Sequence, residues 1–532
     1  MDEEGIVALI VLAVIAYVIY FIAKMVQGFN EGRERGRHQR IAQAVQRGEK
    51  PVGKPFGQAY GSAYLMAPAQ IREKGLGLSP DEMFRSRKTG ELGYLYLGEV
   101  DYYPRGPKGP MEVAFPALQG PGHAITIAPT RSGKGTCAVI PNLLNYDGSV
   151  VVNDIKGENY AVTAIWRNAI DHDVFKLAPF DDDSSSWNVF DTLEDSEDPW
   201  DDARHMAELL ITDAPGKDEF WSNGARNLLT GLILYIHETA RPDQRTLAHL
   251  RDLLTQDQED FDLTLAEMVN CDNKIAARSA NVFQRADSKV QGGILSTLDS
   301  ELAFLDSDRL ARCTAESDFS LKDLKEKKTD IFFIIPPERL RTYAPFVRLF
   351  MGMAMLEMKR TKTKPQFPVL FMLDEFPALG RMKVIEDEIT YLAGYDVRLW
   401  FFAQDLQQVA SIYGDKVQSI IANCKVKQFF KVADNETAKL VSAMCGNTTV
   451  PNISVSSSHS VNVDTTGMSM GHNARPLYDP NEVMNLPEAV QLIFFQGQQP
   501  IQAVKTPYYE SDALFVHEGQ KLYNENPYHQ PA

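Results

Sequence analysis

Two short stretches, far apart in the chain, limit its fold more than any other feature. The first is Ala128-Pro129-Thr130-Arg131-Ser132-Gly133-Lys134-Gly135-Thr136, set between the apolar run His123–Ala128 and a second apolar run after Thr136. The second is Val369-Leu370-Phe371-Met372-Leu373, which ends on Asp374 and Glu375. The first is a variant of the phosphate-binding loop G-x-x-x-x-G-K-[ST]. Gly133 and Lys134 match it, Ala128 replaces the first glycine, and Gly135 stands where a hydroxyl residue is usual. A loop between a strand and a helix start turns backbone N–H groups toward phosphates, here from Thr130, Arg131, Ser132, Gly133, Lys134, Gly135 and Thr136. Lys134 adds a compact positive charge for the β- and γ-phosphates of ATP. The second stretch has the form of its usual partner. Asp374 is placed to hold the shell of a Mg²⁺ ion, and Glu375 to orient the attacking water. Thr136 sits one residue late for the magnesium hydroxyl, so Thr136 or a water fills that role.

Further apolar runs at Ser149–Asn153, Val174–Leu177, Asp330–Ile335, Val397–Phe402, Lys425–Phe430 and Val490–Gln496 read as strands. Strands of this kind separated by helices predict an α/β fold with a parallel sheet covered on both faces. Gln404 follows one of them and is placed to sense the γ-phosphate or position water. Asp154 follows another and lies on the same rim. Arg381 and Arg398 are candidates for an arginine supplied to a neighbouring subunit's site. Between about 200 and 319 strand-like runs vanish and helical periodicity takes over, as in Ala225–Leu234 and Ile294–Leu305. The predicted divisions are an anchor at 1–28, a stalk and lead-in at 29–115, a nucleotide-binding domain in two parts at 116–199 and 320–510, an all-α domain at 200–319, and a polar tail at 511–532. The Ser-, Thr- and Asn-rich stretch 447–471 reads as a mobile or partly disordered loop.

The anchor rests on residues 5–23, GIVALIVLAVIAYVIYFIA, which carry no charge and are roughly 28 Å long as a helix. Asp2, Glu3 and Glu4 precede this run, and Lys24, Arg33, Arg35, Arg37 and Arg40 follow it. That asymmetry predicts a single pass with the N-terminus outside and the bulk of the chain in the cytoplasm. The acidic start and the length argue against a cleaved signal peptide. The net charge of −17 gives no sign of an outer surface that coats nucleic acid, although a basic channel inside a ring remains compatible with it. Five scattered cysteines without a C-x-x-C pair argue against a disulfide framework or a zinc site.

Taken together, these motifs resemble those of the type IV secretion coupling proteins, the TraG/TraD-like ATPases of conjugation and effector export. The likeness runs from about 120 to 510. It is carried by APTRSGKGT at 128–136, VIPNLL at 139–144, DIKGEN at 154–159, FWSNGARNLL at 220–229, LDEFPALG at 373–380, FFAQDLQQ at 401–408, ARPLYDP at 474–480 and IFFQGQQPI at 493–501. The resemblance implies a RecA-like P-loop NTPase domain with an inserted all-α domain and an N-terminal transmembrane helix. It also implies a homo-oligomer, a hexameric ring at the bacterial inner membrane, working with other type IV secretion components. Its substrates would be DNA, single-stranded and joined to a relaxase, or protein effectors. Many members have two membrane spans, and this sequence shows one. Two other readings stand beside it. One is a nucleotide-binding receptor platform with little turnover, which the altered hydroxyl position beside Lys134 favours. The other is an FtsK-like DNA translocase, whose several spans and terminal DNA-reading winged helix are not visible here.

Overall fold

The computed structural model describes residues 61–83, 93–102, 111–194, 196–212, 219–460 and 463–511, with shorter pieces at 50, 52, 515–517 and 520–527. The apolar run 5–23 lies outside the described residues. Among those described, no helix is long and apolar enough to cross a membrane.

A nine-stranded sheet forms the centre. Its strands are β1 (His123–Ile127), β2 (Val150–Asn153), β3 (Asp173–Leu177), β4 (Thr329–Phe333), β5 (Val369–Leu373), β6 (Val397–Ala403), β7 (Cys424–Phe429), β8 (Val490–Phe495) and β9 (Ile501–Val504). Their spatial order is β9-β8-β7-β1-β6-β5-β2-β4-β3. Strands β1 to β7 run parallel. Every residue of β1, β2, β4, β5 and β6 is buried, as a sheet covered on both faces requires. Successive side chains go to opposite faces. Ile125, Val151, Phe371 and Phe401 join one core, and Ala124, Val152, Met372 and Trp400 join the other.

The sheet is mixed, not wholly parallel as the apolar runs alone suggest. Strands β8 and β9 pair antiparallel, β8 to β7 and β9 to β8. The stretch from Gln496 to Pro500 between β8 and β9 is too short for a crossover, so it can only make a hairpin. The stretch read as a mobile loop is also different. Asn447–Ser460 and Val463–Pro476 pair as a two-stranded antiparallel ribbon, with Asn447 opposite Pro476. Its Thr, Val and Ile residues favour extended backbone even though its overall polarity is high.

Helices on the two faces complete the layers. One is α1 (Glu158–Ala169), after β2. Another, α2 (Pro337–Arg360), follows β4. Between β3 and β4 the chain is helical, including Pro199–Leu210, Glu219–Thr239, Gln258–Asn270, Lys274–Gln284 and Ser288–Leu302. These helices start where the sequence supplies caps. The side chains of Asp198, Asp257, Asn273 and Asp287 accept hydrogen bonds from backbone N–H groups of the first turn.

One buried ion pair ties the layers together. Arg167 of α1 and Asp330 of β4 are both fully buried. Arg167 donates Nε to Asp330 Oδ2 at 2.6 Å and Nη2 to Oδ1 at 2.7 Å. Its remaining N–H groups reach the carbonyls of Leu143, Tyr146 and Gly148. Burial alone would push the Asp330 carboxyl up. The charge of Arg167, with hydrogen bonds from His172 and Arg167, outweighs this and holds it below the usual carboxylate range. Arg167→Met would leave that carboxylate buried without its counter-charge. The expected cost is about 3–5 kcal/mol, read as a fall in the urea midpoint. A loss under about 1 kcal/mol would show that the pair does not hold the layers.

Candidate functional site

Register brings the functional side chains together. Phe401 of β6 lies beside Leu373 of β5, Leu373 beside Asn153 of β2, and Ala403 of β6 beside Ile127 of β1. The carboxyl ends of four strands therefore form one edge, and the loop 128–134, Asp154, Asp374, Glu375 and Gln404 all leave from it. Such an edge is where open α/β sheets bind ligands.

The loop after β1 is a tight turn. Ser132 N–H donates to Pro129 O at 3.1 Å, and its hydroxyl donates to the same oxygen at 2.6 Å. Arg131 and Gly133 both take positive φ, 62° and 87°. Glycine accepts that geometry freely, whereas arginine adopts it only under constraint. The helix that follows opens with a π-helical stretch, Gly135–Val139, and continues as Ile140–Asn145. Pro141 has no N–H to donate to the previous turn, which accounts for the opening.

Lys134 meets the two acids directly. Its Nζ is 2.5 Å from Asp374 Oδ1 and 3.4 Å from Glu375 Oε2. Burial lowers the lysine pKa, but the charges of Asp374 and then Glu375 more than offset it and hold the ammonium above its ordinary range. Gln404 bridges the loop and the acids. It donates Nε2 to Glu375 Oε1 at 2.9 Å, and its Oε1 accepts from the Thr130 hydroxyl at 3.2 Å. Glu375 has a left-handed backbone, φ 49°. Its N–H donates to Asp374 Oδ1 at 2.9 Å.

Two residues that the motifs did not single out support this turn. Asn153, the last residue of β2, donates Nδ2 to Asp374 O at 2.6 Å. Lys505, just past β9, donates to Ser132 O at 2.6 Å. Asp154 is buried and accepts from the Tyr160 N–H in the first turn of α1 and from the Asn159 side-chain amide. Burial raises its carboxyl to about 7 against those hydrogen bonds, with a further push from Asp374 and Glu158.

The other expected residues fall differently. The Thr136 hydroxyl turns back to Gly133 O at 3.4 Å. At Gly135 a Cβ would meet open space. Arg398 is fully buried as the second residue of β6, at the opposite end from this edge, with its guanidinium on the carbonyls of Gly93 and Gly120. Burial removes it as a donor to another subunit. Arg381 is partly exposed and paired with Glu386 at 2.6 Å. Asp374, half-buried beside Lys134, supplies carboxylate oxygens of the kind Mg²⁺ takes.

Comparison with known proteins points the same way. Residues 74–528 match the family described as Type IV secretory system Conjugative DNA transfer. Protein VirD4 of Agrobacterium fabrum is 32% identical over 401 residues, covering 74% of this chain and 59% of that protein. Conjugal transfer protein TraG of Escherichia coli is 30% identical over 438 residues, covering 74% of this chain and 68% of that protein. The chain thus spans about three-fifths of the length of the VirD4 relatives. Among solved structures, the bacterial conjugative coupling protein TrwB lacking its N-terminal segment superposes with a TM-score of 0.57 at 16% identity. That match covers 72% of this chain and 85% of TrwB. TrwB in complex with ADP and Mg²⁺ gives a TM-score of 0.56. The shared α/β fold with its mixed sheet is what those two structures add. The chain belongs to the type IV secretion coupling proteins of the VirD4/TraG family.

Proposed function

We propose that the chain is an inner-membrane coupling ATPase that recruits DNA–protein or protein substrates and delivers them to a type IV secretion channel. The observation that carries this reading is the contact of Lys134 with Asp374 and Glu375, bridged to the loop by Gln404, at the ends of adjacent parallel strands. Backbone N–H groups of the loop 130–136, other than that of Ser132, which is bonded to Pro129 O, cradle the phosphates of ATP, and Lys134 neutralises their charge. Asp374 would hold the Mg²⁺ shell, with Thr136 or a water as a further ligand. Bound there, the ion would neutralise charge on the β- and γ-oxygens. Glu375 orients the attacking water, and Gln404 fixes the carboxylate while sensing the loop through Thr130. RecA-like ring ATPases of this kind work as oligomers, and a hexamer anchored through residues 5–23 fits the family. The DNA-transfer description of the family and the VirD4, TraG and TrwB names favour a nucleoprotein substrate.

The second reading is a nucleotide-binding platform with little turnover. The inward turn of the Thr136 hydroxyl and the bare Gly135 favour it. Turnover separates the two. Lys134→Ala should abolish ADP and ATP binding. Glu375→Gln should keep ADP affinity within about threefold and lower kcat by about 100-fold or more. Turnover that survives Glu375→Gln would remove that residue from the chemistry. Absence of turnover in the full-length protein, with and without single-stranded DNA, would favour the platform.

Gly135 tests the magnesium position. Its backbone is unstrained and its surroundings are open, so Gly135→Ser should fold with an unchanged thermal midpoint. The added hydroxyl should increase the Mg²⁺-dependence of ADP affinity severalfold. Unchanged Mg²⁺-dependence would leave the role with Thr136 or water.

A further inference from the structure

Lys505 lies outside every motif of the nucleotide site, on the stretch that leaves the antiparallel edge strand β9. It is only 5% exposed. Its ammonium reaches the loop after β1, donating to Ser132 O at 2.6 Å, and it sits 4.6 Å from the centre of the Phe430 ring. No carboxylate lies within ion-pair distance of it among the described residues. A buried lysine without a partnered anion is costly, and such a charge survives where something else compensates it. Burial pushes its pKa down, and Cys137 and Glu488 oppose that only at longer range.

The geometry of one peptide shows what the charge can do. The bond between Ser132 and Gly133 is trans, because the described chain has no cis peptide. In a trans peptide the C=O and the N–H point in opposite directions. With Ser132 O drawn to Lys505, the N–H of Gly133 faces away from the ammonium. The ammonium also polarises that peptide, which strengthens its N–H as a donor. Positive φ at Gly133 frees the next residue to turn without disturbing this plane.

We infer that Lys505 is a positioning residue for the phosphate loop. It holds the Ser132–Gly133 peptide with its N–H toward the phosphates and adds a second fixed positive charge behind the loop, opposite Lys134. The inference rests on the reading of this loop as a nucleotide site. It links the antiparallel edge of the sheet to phosphate binding, and it gives β8 and β9 a part in the site that their distance from the acids does not suggest.

The test compares full-length wild type with Lys505→Met and Lys505→Gln. ADP affinity is measured with Mg²⁺ present, and the thermal midpoint is measured without nucleotide. Lys505→Met should weaken ADP binding about tenfold or more, the scale of a hydrogen bond from a charged donor. Its nucleotide-free midpoint should hold or rise, because a buried unpaired charge is gone. Lys505→Gln still donates to Ser132 O and should recover part of the affinity. Lys505→Met within about twofold of wild type would overturn the inference. So would a lost affinity matched by a lower nucleotide-free midpoint, which marks a purely structural lysine. Failure of wild type to bind ADP at all would instead defeat the nucleotide reading, and this one with it.

Discussion

Parallel pairing in one register is the constraint on which this molecule depends. In a parallel sheet all strands end on the same side, so residues far apart in sequence become neighbours if their strands end level. Here the last residues of β1 and β6 are level, as are those of β2 and β5, and the two pairs are offset by only two residues. Lys134, Asn153, Asp374 and Gln404 therefore meet without any of them being close in the chain. The register is pinned from inside the sheet. Thr126 of β1 donates to Gln428 of β7 at 2.7 Å and accepts from Trp400 of β6 at 2.8 Å. Gln428 in turn donates to Gln491 of β8 at 2.6 Å. A slip of one residue in any of these strands would turn a buried polar group toward apolar neighbours without a partner, at about 1–3 kcal/mol each. The antiparallel strand β8 is thus locked to the same register as the parallel ones.

Two of the four non-glycine residues with a left-handed backbone among the described residues, Arg131 and Glu375, lie where the chemistry is proposed. Glu375 carries a left-handed backbone that costs a non-glycine residue about 1–2 kcal/mol. The surroundings hold it from three directions. Asn153 fixes the carbonyl before it, the Asp374 carboxylate accepts its N–H, and Gln404 holds its side chain. Such over-determination is what keeps a strained residue in place. It also keeps the Glu375 carboxylate close to the edge rather than extended into solvent.

How legible all this was in the sequence depends on the range of the interaction. The strands β1, β2, β5 and β6 are short apolar runs that end in chemically distinctive residues, so Lys134, Asp374, Glu375 and Gln404 could be read directly. Their mutual contact followed from the pattern of strands and helices. Strand β9 was hidden because Ile-Gln-Ala-Val is too short and too ordinary to stand out beside β8. The ribbon 447–476 was hidden because a two-stranded pairing needs little apolar content, so polarity read as loop. Lys505 and Asn153 could not be found from local pattern, since each acts only through a tertiary contact with a residue far away in sequence. Arg398 misled for the same reason in reverse. A charged residue at a strand start looks exposed, yet its guanidinium is satisfied by two carbonyls from the segments Gly93 and Gly120.

The acidic turn is also tied to the helices between β3 and β4. Arg348 of α2 is buried, and its guanidinium donates to Leu209 O at 3.3 Å and to Leu379 O at 3.2 Å. Leu209 is near the end of the helix Pro199–Leu210, and Leu379 lies four residues beyond Glu375. A second guanidinium of α2, that of Arg360, holds buried Asp202 on the same helix. The bonds of buried Arg348 and the pairing of buried Asp202 are expensive to leave unmade, since the freed N–H or carboxylate has no water to turn to. A shift of the turn at Leu379 would therefore break or lengthen a bond of Arg348 unless Arg348 moved with it, and Arg348 is also bonded to the helix that ends at Leu210. Through Arg348 of α2 the end of that helix and the acidic turn share one buried guanidinium.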